Sequence, residues 1–316
     1  MENQNAVSLS QGTFTSSSPI VLSVPGRQVE LQIKVSAPAI GNNLPIILLS
    51  HGHGMSNFLS SLRGYGPLAD FYASQGFVVI QPTHLDSKTL NLDPDGPEGP
   101  LFWKSRATDM HVILDYLDQI EEIVPGLAGR LDKNQVVAVG HSLGGHTVSI
   151  LAGMRLTDPK DKKEVILNEP RIKAAVIIAG PGSPAGLAPF AAEHYPIFGT
   201  SDFTEMTLPC LIVTGDNDNN PMFSERADWR SDAYHLSNGP KCLLTILGGE
   251  HILGGISGYD AAETTDESPE RVALVQQATL AYIRTALYPE DSSWENIQDQ
   301  LQSEDEPKAI IELKGY

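Results

Sequence analysis

Residues 136–154 read VVAVGHSLGGHTVSILAGM, and this stretch decides the fold. The run VVAVG is apolar at every position, as a strand buried on both faces of a parallel sheet must be. GGHTVSILAGM, directly after it, opens a helix. Where the two meet, Gly140-His141-Ser142-Leu143-Gly144 fits G-x-S-x-G. The pattern alone is weak, but a strand running straight into a helix is the setting in which such a turn strains the serine backbone and exposes its hydroxyl. The flanking glycines leave room for the serine and for the crossing helix. Ser142 is therefore the candidate nucleophile.

Outward from this turn, short apolar runs alternate with longer segments of helical period. IILLS (46–50), FVVIQ (77–81), AAVIIAG (174–180), CLIVTG (210–215) and CLLTIL (242–247) read as further buried strands, and IVLSV (20–24) and VELQIKV (29–35) as an antiparallel edge. Leu68, Phe71 and Tyr72 precede a C-capping Gly76, Met110, Ile113, Leu117 and Ile120 stripe a helix from Trp103 to Glu122, and Ser268-Pro269 starts a helix with Val272, Val275 and Tyr282 inward. The pattern predicts an α/β fold, a mostly parallel eight-stranded doubly wound sheet, over residues 20–289. A polar segment, 1–19, precedes it and an acidic appendage, 290–316, follows. Residues 85–102 read as a long loop. Residues 183–206, aromatic but without a clean period, read as a small cap whose Phe190, Tyr195, Ile197 and Phe198 shape an apolar pocket.

A serine hydroxyl is a weak nucleophile until an imidazole, itself oriented by a carboxylate, takes its proton. In this kind of sheet the acid and the histidine follow the serine on loops at the carboxyl ends of later strands. CLIVTG runs into Asp216-Asn217-Asp218 and CLLTILGG into Glu250-His251. His251 is the candidate base. Of the two aspartates, Asp218 is favoured, because Asp216 sits close enough to the strand end to cap the turn instead.

His111 and His146 fall on helices, and His194 and His235 lack a strand-end position. His84 closes the strand segment FVVIQPTH and is a candidate for bordering the pocket, and His141, beside the serine, for packing or pocket lining. Attack on a carbonyl builds an oxyanion that preorganised N–H groups stabilise. The main-chain N–H of Leu143 is one expected donor, and that of His53, in the small-residue turn SHGHG (50–54), the other. Two histidines there raise the question of a metal, but no nearby carboxylate or cysteine in the sequence completes a ligand set, so neither metal nor cofactor is expected.

The balance of 21 Lys+Arg against 39 Asp+Glu gives a net charge of −18, with seven acids and no base over 290–306. Phosphate backbones and anionic membranes recruit cationic side chains, so nucleic acid and membrane surfaces are poor partners. No window holds the ~18 apolar residues of a membrane span, and the first residues lack the pattern of a secretory signal, so a cytoplasmic location is expected. Cys210 and Cys242 open apolar runs and read as buried thiols.

Together these pieces resemble the α/β-hydrolase superfamily over about residues 20–288. More narrowly, LSHGHG, LADFYASQGFVVIQPTH, WKSRATDMHVILDYL and GHSLGGHTVSILAG are similar to the platelet-activating-factor acetylhydrolase-like, chlorophyllase-like and dienelactone-hydrolase-like esterases. The resemblance implies cofactor-free hydrolysis of a small-molecule carboxylic ester, with Ser142 as nucleophile, His251 as base, and His53 and Leu143 as oxyanion donors. Two departures matter. Dienelactone hydrolases proper have cysteine where this chain has Ser142. The mammalian acetylhydrolases take their acid after the sixth strand, where this chain reads IIAGPGSPAG without a carboxylate, so the acid must come from the seventh-strand loop. An amidase, thioesterase or lactonase with the same triad, or a ligand-binding protein on this fold, stands as the alternative.

Overall fold

The computed structural model describes residues 12–96, 99–303 and 305–315. Strands β1 (Phe14–Leu22), β2 (Leu31–Pro38), β3 (Leu44–Ser50), β4 (Val78–Pro82) and β5 (Leu131–His141) come first, with helices α1 (Gly66–Ser74), α2 (Trp103–Asp115) and α3 (Leu117–Ile123) between them. Helix α4 (Leu143–Leu151) and a hairpin of β6 (Leu156–Thr157) and β7 (Glu164–Val165) lead to β8 (Ile172–Ile178). Then follow α5 (Pro189–His194), β9 (Cys210–Gly215), α6 (Asp232–His235), β10 (Lys241–Ile246), α7 (Pro269–Leu287), α8 (Ser293–Ser303) and β11 (Ala309–Lys314).

The main sheet has the order β1-β2-β4-β3-β5-β8-β9-β10-β11. Its six strands from β4 to β10 are parallel, and β2 and β11 pair antiparallel at the two ends of that block. Side-chain alternation splits the core in two. Ile46, Leu48, Val136, Ala138, Ala175 and Ile177 face α2, α3 and α4, while Ile47, Leu49, Val137, Val139, Val176 and Val213 face α1 and α7. A strand covered on both faces needs apolar residues at every position, which is why these segments read as unbroken runs.

Four expectations change. The acidic 290–316 segment, expected as an appendage, joins the body of the domain: α8 buries Trp294 and Leu301, and β11 pairs with β10 from Lys241↔Lys314 to Ile246↔Ala309. The sheet therefore has nine strands rather than eight, and its far edge is taken from the tail. At the other end, the expected polar segment 1–19 lies partly outside the described residues, and the rest of it contributes β1, which begins at Phe14. The long helix expected from Trp103 to Glu122 is two, broken at Tyr116, though Met110, Ile113, Leu117 and Ile120 are all buried as the stripe requires. The 183–206 segment folds as α5 and one 3-10 turn, Pro196–Thr200. Among the described residues no helix is long and apolar enough to cross a membrane.

Candidate active site

Strand β5 lies between β3 and β8 near the middle of the sheet, and its carboxyl end is the serine turn. Ser142 has φ 55° and ψ −120°, a strained setting for a residue with a side chain. The turn survives because its neighbours are bare: a Cβ on Gly140 would stand 2.2 Å from the Gly144 carbonyl oxygen, and one on Gly144 would stand 2.1 Å from that of Ser50. The Ser142 N–H donates to the Ile178 carbonyl on β8 at 2.8 Å, pinning the strained residue to the sheet.

The loops after β9 and β10 carry the expected acid and base. They meet backbone to backbone, a Cβ on Gly215 being only 2.0 Å from the Gly249 oxygen, and the Asn217 N–H donates to Gly249 at 3.0 Å. His251 Nε2 lies 3.0 Å from Ser142 Oγ, and His251 Nδ1 lies 2.8 Å from Asp218 Oδ2. With the carboxylate accepting a hydrogen bond from Nδ1–H, Nε2 is left to accept from the serine hydroxyl. Asp216 turns away, accepting from the Gly248 N–H at 2.6 Å, so it caps the turn as its position implied. Burial alone raises the Asp218 carboxyl, but the buried Arg230 guanidinium, 3.2 Å away, and His251 hold it well below the ordinary carboxylate range.

The two expected N–H donors are both unspent. Neither the His53 nor the Leu143 main-chain N–H has a hydrogen-bond partner among the described residues, whereas the neighbouring Gly52 N–H donates to the Tyr65 hydroxyl at 2.9 Å.

The expected pocket residues divide. His84 is fully buried, its Nδ1 2.9 Å from Asp109 and its Nε2 3.0 Å from Ser50 Oγ, so it presents no surface to a ligand and its expected place at the pocket border is corrected. His141 is likewise buried and bridges Tyr65 and the His251 carbonyl; it packs rather than lines. Phe190 is exposed and stacks on His194, and the buried Phe198 meets the edge of His146. Tyr195 and Ile197 line a cavity of about 370 Å³ with Leu101, Trp103 and Lys104, and that lining contains none of Ser142, Asp218 and His251. A polar hollow of about 220 Å³ borders Asp218, Glu250 and His251 on the loops after β9 and β10, and its lining does not include Ser142.

Sequence reading missed Tyr65, Asp86, Arg106 and Arg230, all of which bond to the loops or side chains of the site. Each is a single polar residue on a helix or loop, and what marks it is burial, which sequence does not display.

No curated protein sequence matches the chain significantly. The sequence model described as the alpha/beta hydrolase family matches residues 46–306, from the strand before the SHGHG turn into the tail. With most of the chain matched and the mostly parallel sheet in place, this protein belongs to the alpha/beta hydrolase family.

Proposed function

We propose that this chain is a serine-dependent carboxylic ester hydrolase working through an acyl-enzyme. The observation that carries the reading is the imidazole of His251 shared between Ser142 Oγ and Asp218 Oδ2 at 3.0 and 2.8 Å. Ser142 attacks the ester carbonyl while His251 takes its proton, and the same proton passes to the departing alcohol. Asp218 keeps Nδ1 protonated and stabilises the imidazolium. The unspent N–H groups of His53 and Leu143 receive the oxyanion, each such donor being worth about 100–1000-fold in rate. Water activated by the same imidazole then releases the acid.

Within the family, the chain's motifs resemble those of the platelet-activating-factor acetylhydrolase-like, chlorophyllase-like and dienelactone-hydrolase-like esterases. The candidate nucleophile is serine where dienelactone hydrolases proper have cysteine, and the candidate acid follows β9, not the sixth strand as in the mammalian acetylhydrolases.

Hydrolysis of p-nitrophenyl esters from acetate to decanoate, run beside Ser142→Ala, tests this. The expected result is turnover by the wild type that vanishes in the variant. Unchanged turnover in Ser142→Ala, or tight ester binding by the wild type without hydrolysis, would overturn it.

A further inference from the structure

Beneath the SHGHG turn lies a buried polar cluster that the proposed chemistry does not use. Asp86, on the loop after β4, has a fully buried side chain. One of its oxygens accepts from His53 Nδ1 at 3.0 Å and the other from Arg106. Burial by itself raises the Asp86 carboxyl, but the Arg106 guanidinium and the His53 hydrogen bond hold it well below the ordinary range, so it stays ionised.

Arg106, on α2, is also fully buried. Besides Asp86 it donates to the His51 carbonyl, to Ser50 Oγ at 3.3 Å, and through Nε to Thr147 Oγ1 at 2.9 Å. Thr147 belongs to α4, the helix opened by Leu143. A single guanidinium is thus bonded to both elements that offer a free N–H: the loop ending at His53 and the helix beginning at Leu143. Its planar fork fixes direction as well as distance, which an ammonium on a flexible stem does not.

We propose that Asp86 and Arg106 are positioning residues that set the His53 and Leu143 N–H groups at the separation an oxyanion needs, with the His53 imidazole as the tether. This rests on the reading of Ser142 as the nucleophile. Arg106 locks loop to helix, and Asp86 stops the His53 peptide from rotating by holding its own side chain. Misplacing a reacting or stabilising group by about 1 Å costs about 100-fold in rate, so a slack tether is visible in kcat.

Asp86→Asn and Arg106→Lys leave a buried partner short and destabilise the fold itself, so the deciding variants are at His53, whose side chain is 24% exposed. His53→Ala keeps the main-chain N–H and removes the tether; His53→Asn returns a side-chain N–H able to reach Asp86. Turnover of p-nitrophenyl acetate is measured per serine titrated by a fluorophosphonate, which discounts unfolded protein. The expected result is a kcat lowered by about 10–100-fold in His53→Ala with KM unchanged, and largely recovered in His53→Asn. Unchanged kcat in His53→Ala overturns the proposal. So does a rise in KM at constant kcat, which would make the imidazole a substrate contact, and so does an equal loss in both variants. The Ser142→Ala control separates the two levels: if it stays active the nucleophile reading fails, and if it is dead while His53→Ala keeps full kcat only the tether fails.

Discussion

His141 Nε2 donates its proton to the main-chain carbonyl of His251 at 2.8 Å, so the residue before the candidate nucleophile holds the loop carrying the candidate base. Donation from Nε2 leaves Nδ1 as an acceptor for the Tyr65 hydroxyl at 2.7 Å, and that hydroxyl in turn accepts from the Gly52 N–H. Burial, with His251 beside it, pushes the His141 imidazole down to about 3, so the ring stays neutral and this direction of donation holds. The chain Gly52–Tyr65–His141–His251 ties the SHGHG turn to the His251 loop through the serine turn.

Tyr65→Phe cuts that chain in the middle. It leaves the Gly52 N–H and His141 Nδ1 unsatisfied in a site with no exposed surface, at a cost of about 1–3 kcal/mol. Urea unfolding of the variant is expected to show this loss, together with a lower kcat at unchanged KM. Wild-type stability would mean that water repairs the gap.

Arg230→Met removes the cation that most strongly holds Asp218 down. A depressed carboxylate contributes only while ionised, so its contribution is lost as pH falls through its own pKa. Without Arg230 that pKa rises and the loss comes at higher pH. The acid limb of the kcat/KM profile is expected to move upward in the variant. An unmoved limb would show that Arg230 serves packing alone.

Gly144→Ala drives a methyl group into the Ser50 carbonyl, 2.1 Å away, between two backbones with no flexible side chain to yield. The expected cost is about 3 kcal/mol, with loss of esterase activity as the serine turn opens. A thermal midpoint equal to wild type would contradict the close approach of β3 and α4 on which the turn depends.

Four histidines are buried in neutral form: His51 is pushed down to about 4, His141 and His146 to about 3, and His84 well below 6.5, each chiefly by burial. A lowered histidine contributes fully above 6.5 and progressively less as pH falls toward its folded value, because only the unfolded chain takes up the proton. Each such proton costs about 1.4 kcal/mol of stability per pH unit. Asp109, pushed up to about 6 by burial, works in the opposite sense between 3.8 and 6 but is a single group. Stability measured by urea is therefore expected to fall from pH 6.5 to 4, less steeply in His146→Leu, since the His146 ring nitrogens have no hydrogen-bond partner among the described residues. A flat profile would contradict neutral burial.

Much of this molecule is legible in its sequence where one residue type repeats under one constraint. The parallel strands read as apolar runs because both faces are covered, and Ser142, Asp218 and His251 stand out as candidates because strand ends mark where such residues stand, the structure bringing the three within hydrogen-bond distance. The strand β11 escaped notice because AIIELK is a single apolar patch within an acidic tail, and its partner strand is decided by packing at a distance. The aromatic cap is legible only in part. Tyr195 and Ile197 do line a cavity, whereas Phe198 is apolar because it is buried against the body of the domain, a demand that looks the same in sequence as a pocket wall. Asp86, Arg106 and Arg230 carry no pattern at all, since a lone charge becomes informative only when it is seen to be buried and paired.

The central claim is that Ser142 carries the acyl group during turnover. Reaction with p-nitrophenyl acetate, quenched by acid within the first turnover and followed by mass spectrometry of the digested protein, tests it directly. An acetyl group on the Ser142 peptide, formed and lost at rates that account for steady-state turnover and accumulating in His251→Ala only if that variant still acylates, is the predicted result. Turnover with no acetyl on Ser142, or acetyl transfer to another residue at a competent rate, would contradict the account.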